Sequence, residues 1–329
     1  MTKWISTFLL LTLSFLLIAC SQENSNTNHQ STKAWMTQNG KVKVLSTIGM
    51  IDDLVKQVGG EYIDSQILIK GDLDPHSYQL VKGDNEKLTF ANIIFYNGLG
   101  LEHGPSLQHY LGTHEKSIAL GNAIAKEVPA LIIKINGQTD PHIWMDVSLW
   151  EKTVPLIVEA LSIQDPAHSE YYQNNGSQLI KEMQDLHETV RNTIQSIPED
   201  KRFLVTSHDA FNYFTRAYLA AENEQTMDQW DKRFASPEGL APESQLSTTD
   251  IKNIINHLKQ YQISVLFTES NVNKDSIKKI VDAGKKQGLS LRIANSPLYA
   301  DAMGSPGSDG DTYTKMMLHD ATTIANYLK

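Results

Sequence analysis

The stretch DPAHSEYYQNNGSQLIKEMQDLHETVRNTIQSIP, residues 165–198, is the most regular in the chain. Asp165-Pro166 reads as a helix start, a capping carboxylate followed by proline at the first helical position. Apolar residues then fall at Leu179, Met183, Leu186, Val190, Ile194 and Ile197, three or four apart, until Pro198 stops the pattern. That period predicts one long amphipathic helix, with Asn174-Asn175-Gly176 as the place where a break is expected, if anywhere. Roughly 30 helical residues span about 45 Å, enough to run the height of two stacked lobes. The competing reading is a long core helix inside a single domain.

The flanks favour the two-lobe reading. On the N-terminal side, Val42–Leu45, Gln66–Ile69, Ile93–Tyr96 and Ser117–Leu120 are short apolar or β-branched runs separated by stretches long enough for helices. The rhythm returns on the C-terminal side at Phe203–Thr206, Ser264–Thr268 and Leu291–Ala294. Strands alternating with helices predict parallel sheets. The body of about 290 residues is also more than one core usually organises. The expected fold is therefore α/β, with two lobes that each carry a small, mostly parallel sheet flanked by helices. The expected boundaries are 40–164 for the N-terminal lobe, 165–198 for the linking helix and 199–329 for the C-terminal lobe. A stiff helical link predicts only a small rearrangement between the lobes.

At the N-terminus, Lys3 precedes an almost unbroken apolar run from Trp4 to Ala19, and Cys20 follows Leu17-Ile18-Ala19. This predicts a bacterial lipoprotein signal over residues 1–19, with Cys20 as the acceptor of a lipid anchor. The run is short for a membrane span. Residues 20–39, rich in Ser, Asn, Gln and Thr, are expected to form a flexible tether. Cys20 is the only cysteine, so disulfides and thiolate metal sites are excluded. A net charge of −9 without a Lys/Arg cluster argues against nucleic acid as a partner.

One tripeptide occurs twice, as Asp74-Pro75-His76 and as Asp140-Pro141-His142, in a chain of eleven histidines. Proline restricts its predecessor and fixes its own φ, so each histidine is presented from a preset loop. His208 follows the expected strand at Phe203, and Asp301 follows the one at Leu291; both sit where open α/β sheets bind ligands, beyond the carboxyl ends of strands. Three imidazoles and one carboxylate suit Mn, Fe or Zn as divalent ions, whereas calcium and magnesium want more oxygen and copper(I) wants sulfur.

These motifs carry a resemblance. With Ile143-Trp144, Ser207-His208-Asp209-Ala210-Phe211, Thr268-Glu269-Ser270 and Leu298-Tyr299-Ala300-Asp301, in order across the mature chain, the sequence resembles the cluster A-I solute-binding proteins. These are the metal-binding lipoproteins of manganese, zinc and iron ABC importers. The resemblance implies two α/β lobes joined by a backbone helix, with one divalent transition-metal ion in the cleft between them. The family's ligand positions fall on His76, His142, His208 and Asp301. Some relatives carry glutamate at the third position, and Glu269 is a candidate outer partner or alternative ligand. Asp209 and Asp146 are sequence-near candidates for orienting the rings.

The implied role is metal capture outside the cytoplasm by an exported, monomeric protein anchored to a bacterial membrane through Cys20, with delivery to an ABC permease and its ATPase. Two features depart from the family pattern. The segment from Glu222 to Pro237 looks long, and is read as a tolerated surface insertion, a lip over the cleft or an importer-docking surface. A His-rich acidic loop, frequent in zinc importers, is absent; only His103, His109 and His114 lie near its place, which favours manganese or iron. Two other classes stand as rivals: an adhesin or scaffold with a structural metal, and a zinc hydrolase. The hydrolase is disfavoured because the chain has no His-Glu-x-x-His, no Gly-x-Ser-x-Gly and no phosphate loop.

Overall fold

The computed structural model describes residues 33–242 and 246–329; the expected signal, Cys20 and the first part of the expected tether lie outside the described residues. The run beginning at Val42 forms β1 (Val42–Ser46), buried at every position. Helix α1 (Gly49–Gly59) follows, then β2 (Ile63–Ile67), α2 (Asp84–Phe90) and β3 (Ile93–Tyr96). Helix α3 (Pro105–Thr113), β4 (Ser117–Ala119) and α4 (Leu120–Glu127) complete the unit. The four strands pair in parallel in the order β2-β1-β3-β4, with Val44 opposite Ser65 on one side and Ile93 on the other. Parallel strands covered on both faces read as unbroken apolar runs, and Ile93-Ile94-Phe95 is buried throughout. The edge strand β2 begins earlier than its apolar residues suggest, because Asp64, Ser65 and Gln66 tolerate a half-covered edge. Leu68 and Ile69 continue its pairing through bonds to Ser46 O (2.8 Å) and Thr47 O (3.0 Å).

A short antiparallel hairpin, β5 (Lys134–Ile135) with β6 (Gln138–Thr139), and helix α5 (Thr153–Gln164) lead into the long helix. After a 3-10 turn at Pro166–His168, α6 runs without interruption from Ser169 to Gln195, a length of 27 residues. Its buried stripe is Tyr172, Gly176, Leu179, Met183, Leu186, Val190 and Ile194. Gly176 does not break the helix; it lets α5 approach, since a Cβ there would lie 2.5 Å from Val158 Cγ2. Asn175 donates to Val58 O (3.0 Å) in the first lobe, and Gln195 donates to Tyr218 O (2.7 Å) in the second. One helix thus spans both lobes.

The second lobe contains β7 (Leu204–Val205), β8 (Phe234–Ala235), α7 (Thr248–Gln260) and β9 (Val265–Leu266), then α8 (Asp275–Lys286), β10 (Arg292–Ile293) and α9 (Tyr313–Leu328). β7 pairs with β8 and β9 with β10, all parallel, and the Phe267 amide donates to Val205 O (2.8 Å) to set the two pairs side by side. The resulting order, β8-β7-β9-β10, repeats that of the first lobe. β8 lies within the segment read as an insertion or lip. Glu222–Pro237 instead supplies an edge strand and buries Trp230, Arg233 and Phe234.

A single apolar cluster runs through both lobes, including Val44, Leu54, Trp144, Leu186, Phe214, Leu298 and Met316. Buried hydrogen bonds cross with it. Tyr213 OH donates to Asp140 O (3.1 Å) and accepts from Ile133 N (3.0 Å), and Tyr218 OH accepts from Val147 N (3.0 Å). Tyr313 OH donates to Trp144 O (2.6 Å), while Trp144 Nε1 donates to Ala300 O (3.0 Å).

Candidate metal centre

Each Asp-Pro-His tripeptide folds as the same small turn. Asp74 Oδ1 accepts from the amide of His76 (2.8 Å), as Asp140 Oδ1 does from that of His142 (2.9 Å). Such an aspartate-capped turn is a local alternative to helix or strand. Asp140 does more, because its Oδ1 also accepts from His142 Nδ1 (2.7 Å), while Asn212 donates to its Oδ2 (2.9 Å). In the second lobe, Glu269, three residues beyond β9 and bridged to Leu298, holds His208. One carboxylate oxygen accepts from the amides of Ser207 (2.8 Å) and His208 (3.0 Å), and the other takes the His208 Nδ1 hydrogen bond. Both oxygens of Glu269 are therefore engaged in fixing His208, and Nε2 of each held ring is turned toward the cleft.

All four residues singled out in the sequence meet there. One ligand-capable atom from each of His76, His142, His208 and Asp301 lies within 4.8 Å of the others, and all four residues are buried. His76 Nε2 is 3.3 Å from His142 Nε2 and 3.7 Å from Asp301 Oδ2. His142 Nε2 is 3.3 Å from Asp301 Oδ1, and His208 Nε2 is 3.1 Å from Asp301 Oδ2. His208 Nε2 and both Asp301 oxygens have no hydrogen-bond partner among the described residues. Buried polar atoms are rarely left so. An arrangement of three imidazole nitrogens and a carboxylate is the donor set of a nitrogen/oxygen transition-metal site.

Electrostatics reinforce the arrangement. Burial pushes His76 down to about 3, against the pull of Asp301. Burial also acts to lower His142, but Asp140 and then Asp301 outweigh it and hold the ring up at about 9. At His208 burial is likewise overcome, by Glu269 and Asp301, and the pKa is raised. Burial would raise Asp301, yet His208 and His142 keep it well below the usual carboxylate range.

The two sequence-near aspartates do not touch the rings. Asp209 accepts from Asn212 (2.8 Å), which links it to Asp140, and burial followed by the Asp140 charge raises it to about 6. Asp146 caps the short helix at Val147, accepting from Ser148 N (3.1 Å), and pairs with Arg216 (3.1 Å). Asp140 is the ring-holding residue that sequence reasoning passed over, although it stood inside the repeated tripeptide.

The chain matches the family model for the periplasmic zinc-uptake complex component A over residues 44–327. It is 38% identical to the metal-binding protein YtgA of Chlamydia pneumoniae over 95% of this chain and 93% of that protein. It is 32% identical to the manganese-binding lipoprotein MntA of Bacillus subtilis, over 88% of this chain and 90% of the relative. The crystal structure of Fe(III)-bound YtgA from Chlamydia trachomatis superposes with a TM-score of 0.82 at 37% identity, covering 88% of this chain and 98% of that one. With two like-wound α/β lobes, a spanning helix and a match along nearly its whole body, the chain belongs to the zinc-uptake component A family, the metal-binding solute-binding proteins of ABC importers.

Proposed function

We propose that His76, His142, His208 and Asp301 hold one divalent transition-metal ion as cargo, and that the protein captures this ion outside the cytoplasm and delivers it to an ABC permease driven by its ATPase. The observation that carries the reading is the convergence of buried donor atoms, three of which lack any hydrogen-bond partner among the described residues. In this reading residues 40–164 and 199–329 are the lobes that enclose the ion, and 165–198 links them. Four protein donors leave little room for the open position and general base that hydrolysis needs, so the protein acts as a carrier and not as an enzyme.

Manganese or iron is the favoured cargo, with zinc as a competitor. Relatives named for manganese and a relative bound to Fe(III) support this reading, as does the lack of a His-rich loop in the sequence. Zinc nonetheless binds such donors more tightly than manganese by the Irving–Williams order. Anchoring as a monomer through lipid on Cys20 completes the proposal, and lipoprotein relatives support it. Equilibrium dialysis of the chain from Ser21 onward against Mn(II), Fe(II) or Zn(II) tests the reading: one tightly held equivalent is expected, and no stoichiometric binding overturns it.

A further inference from the structure

The four proposed ligands are 2% exposed or less, so an ion reaches them only through some opening in the molecule. Asp301 marks one. Besides belonging to the centre, it lines a cavity of about 460 Å³ whose walls come from both lobes: Ile67 and the start of α1 on one side, Met303 and the loop to Asp311 on the other. An octahedral shell of six waters, at about 30 Å³ each, fills roughly 180 Å³. A divalent ion therefore fits with its shell intact and need not shed water before it meets Asp301.

Charge is placed unevenly along this cavity. The carboxylates of Asp52, Asp53, Asp301 and Asp311 line it, against the ammonium groups of Lys56 and Lys70. Both lysines are exposed, and Lys56 reaches back to pair with Asp52 Oδ2 (2.7 Å). Two of the carboxylates are engaged elsewhere: Asp53 accepts from Tyr313 N (3.0 Å) and Gln57 (2.9 Å), and Asp311 from Gly307 N (2.8 Å) and Lys315 (2.7 Å). The other two are not fully used. Asp52 is 1% exposed, and its Oδ1, like both oxygens of Asp301, has no hydrogen-bond partner among the described residues. Buried carboxylate oxygens are rarely left without a donor. Unmatched negative charge thus lies inside, with the positive charge kept at the solvent. A concave wall of that sign concentrates cations and speeds their arrival, whereas an anion meets repulsion.

We propose that this interlobe cavity is the passage to the centre, in which Asp52 holds a hydrated divalent cation through its water shell until Asp301 takes the ion as its first ligand. The role is kinetic. The four donors of the centre set the equilibrium affinity, and the passage sets how fast the ion enters and leaves.

The inference rests on the cleft-site reading, and the experiment separates the two. The chain from Ser21 onward is mixed with Mn(II) in a stopped-flow instrument, with the free ion followed by a fluorescent chelator. Ile67→Phe and Ile67→Trp narrow the passage by increasing amounts. Both should bind one equivalent with a Kd within about threefold of the parent, while association and dissociation slow together, by about tenfold or more for Trp and less for Phe. Charge gives an independent arm that does not depend on filling the cavity. At low salt Asp52→Asn should slow association by about threefold or more and Lys70→Glu, at an exposed position, should speed it by about threefold, with both differences fading near about 0.5 M salt. Parent-like association in both Ile67 variants would mean that the ion enters elsewhere, or by separation of the lobes, and would overturn the proposal. So would a weakened Kd with faster dissociation in those variants, or association indifferent to both charge changes. Failure of the parent itself to bind Mn(II) would instead sink the cleft site, and the passage with it.

Discussion

His208 Nε2 and Asp301 Oδ2 face each other at 3.1 Å, both buried, and neither forms a hydrogen bond among the described residues. His208 follows β7 and Asp301 follows β10, so the two come from strands at different positions in one sheet, whereas His76 and His142 reach the same point from the other lobe. If these residues hold the ion as proposed, a centre built from both lobes ties its binding to their relative position. The strength of each donor depends on the group behind it.

Glu269 is such a group, and Glu269→Gln should expose its contribution. The amide keeps one oxygen for the Ser207 and His208 backbone, but loses the charge behind His208 Nδ1. Loss of an outer partner of this kind typically weakens metal binding by about 10- to 100-fold. Competition against a chelator of known affinity should show that loss with the stoichiometry of one retained. An unchanged affinity would mean that Glu269 only shapes the backbone.

Protons compete with the ion. In the metal-free protein His142 is held at about 9 and His208 is also raised, while His76, pushed down to about 3, is already neutral. A coordinating nitrogen must give up its proton, so binding at neutral pH expels protons. Affinity should therefore keep climbing with pH through 7 and on toward 9, by about tenfold per pH unit for each proton displaced. This places the window above the ordinary histidine range near 6.5. Calorimetric titration at pH 7 in buffers of different ionisation enthalpy should show proton release; a heat independent of buffer would contradict it.

Tyr213 joins the lobes. Tyr213→Phe removes the hydroxyl that donates to Asp140 O and accepts from Ile133 N, leaving two buried backbone groups unpaired. Urea unfolding of the metal-free protein should show a loss of about 1–3 kcal/mol. A change within a few tenths of a kcal/mol would mean that water replaces the hydroxyl at little cost.

Crossing bonds and the shared apolar cluster also limit how far the lobes move. Small-angle scattering with and without the ion should give nearly superimposable profiles, as expected for small sliding of packed helices and not for wide hinge closure. A marked compaction on metal addition would show that α6 does not act as a stiff link.

Much of this architecture was legible in advance, for reasons particular residues make plain. The stripe from Leu179 to Ile194 repeats at helical spacing because one face of α6 stays buried along both lobes. Asn174-Asn175-Gly176 looked like a break because its polar and glycine content lowers helix propensity; in the fold, close packing against α5 and a bond to Val58 O override that tendency. β8 was hidden because its two residues, Phe234 and Ala235, follow the charged run Asp231-Lys232-Arg233, and pairing to β7 leaves no local period to read. The four converging residues stood out through the repeated tripeptide and their places after strands. The ring partners were harder, since Asp209 and Asp146 are near in sequence, whereas Glu269 reaches His208 across 61 residues.

Metal content and competitive affinity of the chain from Ser21 onward, measured with Mn(II), Fe(II) and Zn(II) beside His208→Ala and Asp301→Ala, test the central claim most directly. One tightly bound equivalent in the parent, lost or weakened by orders of magnitude in both variants, is the predicted result. Binding that ignores both substitutions, or no stoichiometric binding in the parent, would contradict a cleft site made by His76, His142, His208 and Asp301.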